Sequence, residues 1–94
     1  MIKIKKCDVF TNDKISRKMS KYLYKNGNLL EPSVGTGNLL KFININNYDE
    51  IDIYDIEEKY LEQINNNKKI NKFCKDFLKI KINKKYKNII LNPP

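Results

Sequence analysis

Two groups of residues in this chain have the types and spacing of a small-molecule site. Glu31-Pro32-Ser33-Val34-Gly35-Thr36-Gly37 follows the apolar pair Leu29-Leu30. Asp55 stands 20 residues after Gly35, closing the run Ile51-Asp52-Ile53-Tyr54. A strand that ends in Gly-x-Gly lets the backbone turn sharply and approach a ligand without Cβ clashes. The helix expected after it offers unpaired N–H groups and a positive dipole end. A carboxylate at the end of the next strand can accept both hydroxyl protons of a ribose. Leucine follows in Asn38-Leu39-Leu40, where a pyrophosphate fold needs a third small residue, and the Lys-Ser/Thr pair of a P-loop is absent. The pattern therefore favours a smaller adenosine-containing cofactor over a diphosphate. An ordinary tight turn is the bland alternative for a lone Gly-x-Gly; the strand before it and the acidic residue after it weigh against that.

The elements that must position these residues alternate along the chain. Met1 to Val9 is a short mixed, extended lead-in. Thr11 to Tyr24 reads as a helix, capped by Thr11 or Asn12, with Ile15, Met19 and Leu23 on one face. Asn26-Gly27-Asn28 ends it, because glycine tolerates the left-handed conformation. Leu29-Leu30-Glu31 is a short strand, and Leu39, Leu40 and Ile43 predict about two helical turns closing near Asn44 to Asn47. Ile51 to Tyr54 is strand-like. From Glu57 the chain is helical again, with Ile56, Tyr60 and Ile64 on one face and an acidic first turn that suits the helix dipole. Asn65-Asn66-Asn67 breaks it. Ile70 to Phe73 reads as a third strand with Asp76-Phe77 just beyond, and Lys87 to Leu91 as a fourth running into Asn92-Pro93-Pro94. Strands separated by crossovers, with no hairpin signal between them, predict a parallel α/β sheet.

Composition sets the limits. The 94 residues make one small domain, and 40% hydrophobic and 11% aromatic residues suffice for a core. Cys7 and Cys74 are far apart and histidine is absent, so free thiols are expected rather than a metal site. The net charge of +8 suits a nucleic-acid partner, although a Lys/Asn/Ile-rich, AT-biased composition would produce the same excess. No apolar run reaches membrane-spanning length and the N-terminus does not resemble a signal peptide. A cytoplasmic protein with no membrane partner is expected.

Taken together, the motifs carry a resemblance. Leu30 to Gly37 is similar to the cofactor motif of S-adenosylmethionine-dependent DNA adenine-N6 methyltransferases. Asn92-Pro93-Pro94 resembles the start of their catalytic Asn/Asp-Pro-Pro-Tyr/Phe motif. Phe10-Thr11 resembles the Phe-x-Thr-Pro element of one ordering class, with Asn12 where that proline stands, and Asp76-Phe77 matches the Asp-Phe near the cofactor adenine. The set spans nearly the whole chain in the family's order.

The resemblance implies a Rossmann-like methyltransferase fold, a partial parallel sheet of about four strands with flanking helices, over a single domain at 1–94. It implies S-adenosylmethionine as cofactor and DNA as partner. Phe10 and Thr11 would lie against the methionine end. Glu31, Pro32 and the Gly35–Gly37 backbone would hold the amine and sugar side. Asp55 would grip the ribose hydroxyls and Ile56 would pack on the adenine, with Asp76 accepting from the adenine amine and Phe77 lining the pocket. Asn92 and the Pro93 carbonyl would accept hydrogen bonds from the target amine, with Pro94 completing the motif; the base would be flipped out of the duplex.

The aromatic residue and later strands of such enzymes have no counterpart before Pro94. The expectation is therefore a fragment or split form, inactive alone unless a second chain completes it. Methylation of RNA or of a protein glutamine by a similar fragment, and a non-catalytic remnant or interaction module, are the alternatives.

Overall fold

The computed structural model describes residues 18, 20–32, 34–35 and 40–90. Its framework is four parallel strands: β1 (Asn28–Glu31), β2 (Glu50–Asp55), β3 (Ile70–Cys74) and β4 (Asn88–Ile89), in the order β3-β2-β1-β4. The register pairs Leu29 with Ile51 and Asn88, Glu31 with Ile53, and Asp55 with Cys74. All four strands and their parallel sense match the expectation from alternation. Among the described residues β4 covers only Asn88–Ile89 of the expected Lys87 to Leu91, and Ile90 donates its amide to the Leu30 carbonyl at 3.0 Å; Leu91 lies outside them.

Strand periodicity divides the sheet into two different faces. Leu29, Ile51, Ile53 and Ile90 share one face and are at most 2% exposed. They pack with Val34, Tyr48 and Leu61, the last from the helix α1 (Glu58–Glu62). Partly buried Leu23, Leu40, Ile43, Ile45, Tyr60 and Ile64 surround that core. The other face is polar and aromatic, carrying Glu50, Asp52 and Tyr54 from β2 and Asn71 and Phe73 from β3. A parallel sheet normally buries both faces against helices; here residues 77–87 fold over the second face instead.

The helical expectations are corrected in three places. Lys18 and Ser20 are helical, but 21–23 form a turn and Tyr24 is not helical, because the Tyr24 amide is drawn to the Asn88 side chain at 2.8 Å. Of the two turns expected after Gly37, the described part from Leu40 onward forms short 3-10 helices, Leu40–Phe42 and Ile45–Asn47. Asn44 caps the second by accepting the Asn46 amide, which starts a new turn rather than extending the first. Ile56 does not share the packed face of α1: the helix starts at Glu58, and Ile56 is 65% exposed. The lead-in Met1 to Val9 and most of the first predicted helix lie outside the described residues.

Gly27 and Gly35 both have positive φ, +77° and +54°. Gly27 turns the chain into β1 and Gly35 bends it after β1, which is where the sequence requires glycine.

Candidate functional site at the carboxyl ends of the strands

In this strand order β1 is central. The chain leaves it on one side for β2 and β3, then crosses to β4 on the other. The loop after β1 therefore opens at the point where the direction of winding reverses, which is where open α/β sheets bind ligands.

Glu31 ends β1 completely buried, and half-buried Pro32 follows it. Val34 donates its amide to the Tyr54 carbonyl at 2.9 Å, which lays the start of the glycine loop along the end of β2. The next amide, Gly35, donates to Asp55 Oδ2 at 2.9 Å. The other oxygen of the same carboxylate, Oδ1, accepts the Glu57 amide at 2.8 Å. Asp55 is 7% exposed and thus ties the loop after β1 to the turn that begins α1. A carboxylate oxygen has two lone pairs, so each retains acceptor capacity toward a ligand hydroxyl.

Ile56 sits beside Asp55 with its apolar side chain open to solvent. Its carbonyl accepts a weak hydrogen bond from the Cys74 thiol at 3.7 Å. Asp76, two residues past β3, caps the 3-10 helix Phe77–Lys79 by accepting the Leu78 amide at 3.0 Å. The Phe77 ring meets Tyr54 edge-on, with centroids 5.2 Å apart, and Tyr54 stacks on Phe73 at 4.7 Å. Tyr54 and Asp55 are neighbours in a strand and point to opposite faces, so Phe77 packs on the face away from Asp55. Its ring does not line the Asp55 side of the site.

Glu31, Pro32, Gly35, Asp55 and Ile56 are thus gathered at one end of the sheet, with Asp76 beyond the neighbouring strand. Phe10, Thr11, Gly37, Asn92, Pro93 and Pro94 lie outside the described residues.

Sequence reasoning missed a polar cluster on the second face. Asp52, 2% exposed, accepts from Tyr86 Oη at 2.6 Å, Asn71 Nδ2 at 2.8 Å and Lys84 Nζ at 3.0 Å. Lys84 also pairs with Glu50. Burial pushes the Asp52 carboxyl upward, but the hydrogen bonds from Tyr86, Asn71 and Lys84 and the Lys84 charge outweigh it, leaving it below the ordinary range. Burial and then the bond to Asp52 raise the Tyr86 phenol well above its usual range. The bond to Glu50, opposed by burial and reinforced by Asp52, holds the Lys84 ammonium above its own. The cluster fastens residues 84–86 over the sheet. A charged residue at the centre of the apolar run Ile51-Asp52-Ile53 was its visible signal.

A second unforeseen group joins the amino ends of β1 and β4. Buried Asn88 accepts the Tyr24 amide and donates to the Asn26 and Asn28 carbonyls at 2.9 and 3.2 Å. Asn28 reciprocates, accepting the Lys87 amide at 2.8 Å and donating to the Lys85 carbonyl at 2.9 Å.

The carboxyl end thus gathers the buried carboxylates of Glu31 and Asp55, the exposed side chain of Ile56 and the left-handed Gly35, whose φ is +54°. Among the described residues no cluster of three or more His, Cys, Asp or Glu could hold a metal ion, and no helix is long and apolar enough to cross a membrane. No protein-family model, curated protein or solved structure matches the chain.

Proposed function

We propose that this chain is an S-adenosylmethionine-binding domain of Rossmann-like methyltransferase type, serving adenine-N6 methylation of DNA. The observation that carries the reading is the convergence of Glu31, the Gly35 loop and Asp55 where the parallel sheet reverses its winding. S-adenosylmethionine would supply an electrophilic methyl group on its sulfonium.

The chain's own residues would do the rest. Asp55 would use its remaining lone pairs to accept the ribose hydroxyls while its amide bonds keep the loop in place. Ile56 would cover one face of the adenine, and Asp76 would accept from the adenine amine. Glu31 and Pro32 would flank the methionine end, with Phe10, Thr11 and Gly37 completing it. Asn92 and the Pro93 carbonyl, with Pro94 behind them, would accept hydrogen bonds from the target amine and so orient its lone pair. Such catalysis comes chiefly from positioning.

One observation favours a second reading. Both Asp55 oxygens already accept backbone amides, so the loop is complete as a structural closure without any ligand. On that reading the chain is a non-catalytic module that retains the scaffold of the site.

Calorimetric titration of S-adenosylmethionine into the chain separates the two. Saturable binding that Ile56→Asp weakens at least tenfold, with the urea midpoint unchanged, is the expected result. Ile56 is exposed, so its replacement tests the ligand face rather than the fold. Absence of binding by the wild-type chain would overturn the cofactor reading and leave the second one.

A further inference from the structure

The opposite pole of the sheet carries a different chemistry. The strands are parallel, so residues 21–27 before β1 and residues 85–87 before β4 emerge at the same, amino-terminal end, away from Asp55. The Asn28 and Asn88 side chains bind these two segments to each other. Lys21, Lys25, Lys85 and Lys87 are all exposed there. Between them stand two large exposed rings, Tyr22 at 80% and Tyr24 at 65%. Leu23 turns inward against the core, which leaves its two neighbours outside. The Lys87 ammonium lies 5.3 Å from the centroid of the Tyr24 ring.

Sequence sharpens the asymmetry. The described segments 20–28 and 85–88, which meet at this pole, hold Lys21, Lys25, Lys85 and Lys87 and no acidic residue. Lys84 is excluded from the patch because Glu50 and Asp52 occupy it. Asp49, whose amide donates to the Gly27 carbonyl, marks the acidic boundary. A solvated lysine face needs no aromatic rings, and exposed tyrosines interleaved with lysines have a specific use. Cations follow a phosphate backbone while rings stack on bases that are not already stacked in a duplex.

We infer that this pole is a binding surface for single-stranded nucleic acid, with Lys21, Lys25, Lys85 and Lys87 contacting phosphates and Tyr22 and Tyr24 stacking on bases. The surface lies at the far end of the sheet from the proposed cofactor site and does not depend on that reading. It would hold a strand independently of any base presented to the other pole.

The test is fluorescence anisotropy with a labelled oligodeoxythymidylate of about 20 nucleotides, a length that exceeds one binding site. A duplex of the same length and an anionic vesicle serve as competitors, and no S-adenosylmethionine is added, so failure here and failure of the cofactor reading are separate results. The variant with all four lysines changed to glutamine should bind the single strand at least tenfold more weakly. Its dependence of log K on log salt should be shallower by about 3, since each single-strand phosphate contact contributes roughly 0.7. Tyr22→Ala with Tyr24→Ala should weaken single-strand binding at least tenfold, leaving the salt slope and duplex binding unchanged. Tyr22→Ala alone should act in the same direction, and Lys59→Gln with Lys75→Gln, near the other pole, should do nothing. The proposal is overturned if wild-type chain does not bind the strand, or if the Lys59/Lys75 pair matters as much as the four lysines. Duplex or vesicle binding as tight as single-strand binding and indifferent to the tyrosines would also overturn it.

Discussion

Asp55 reaches back 20 residues to hold the amide of Gly35 at 2.9 Å, and with its other oxygen it holds Glu57 at 2.8 Å. One carboxylate therefore shapes both the loop after β1 and the start of α1. Asp55→Ala should destabilise the chain by about 2–3 kcal/mol, the range for losing buried bonds to a charged acceptor. Asp55→Asn should cost nearly as much, because its NH2 group would confront one of two amide donors. Urea melts of both variants check this. An Asn variant as stable as wild type would show that the carboxylate does not close the loop.

Asn88 joins three backbone groups at the amino end of the sheet from a buried position. Asn88→Ala should cost about 2–4 kcal/mol, by loss of several bonds and the stranding of buried partners. That is a large share of the 5–15 kcal/mol typical of a domain. Asn88→Asp should be worse, since a carboxylate oxygen would face the Asn26 and Asn28 carbonyls. Denaturant midpoints of the two variants measure the order.

What was legible in the sequence, and what was not, follows from the range of the interactions involved. The strand over Glu50–Asp55 and the turns at Gly27 and Gly35 express local rules of periodicity and φ, and these could be read directly. The roles of Asn28, Asn88 and Asp52 depend on partners about 19 to 64 positions away, at which no local pattern points. Asn44 hid a second rule, because its side chain competes with the backbone and splits one expected helix into two short turns. Ile56 fitted the helical period, but the Asp55–Glu57 bond delays the helix and leaves Ile56 in solvent. The gathering of Glu31, Gly35 and Asp55 was predictable because spacing and topology agree there. The orientation of Phe77 was not, since it is set by Tyr54 across the sheet.

The Asp52 cluster should give the chain a two-sided pH profile. The Asp52 carboxyl titrates lower in the folded chain than in the unfolded one, so its contribution is full above the ordinary carboxylate range. That contribution is lost as pH falls from about 4 through the lowered value. Tyr86 and Lys84 titrate higher when folded, so their contribution is full below about pH 10 and declines as pH rises beyond it. Urea melts across that span should show stability falling at both ends. Asp52→Asn should flatten the acid limb and Tyr86→Phe the alkaline one; unchanged limbs would mean the cluster is not coupled to folding.

Gly27 combines a left-handed φ with a close neighbour: a Cβ there would lie 2.8 Å from Lys87 Cδ. The lysine stem can move aside, so the lasting cost of Gly27→Ala should be mainly conformational, about 1–2 kcal/mol. Adding Lys87→Ala should recover only the smaller steric part. Full recovery in the double variant would assign the whole penalty to the contact and none to the backbone.

Cys74 offers a reporter for the proposed cofactor site, because its thiol is exposed yet bonded to the carbonyl of Ile56 at 3.7 Å. A group packed on Ile56 would lie next to that sulfur and slow its reaction. In a Cys7→Ser background, saturating S-adenosylmethionine should reduce the iodoacetamide alkylation rate of Cys74 at least threefold, read by mass spectrometry. Adenosine, which shares the ring and ribose, should protect as well, and methionine alone should not. Protection by methionine but not by adenosine would place the ligand the other way round, with Ile56 against its amino-acid end rather than its adenine.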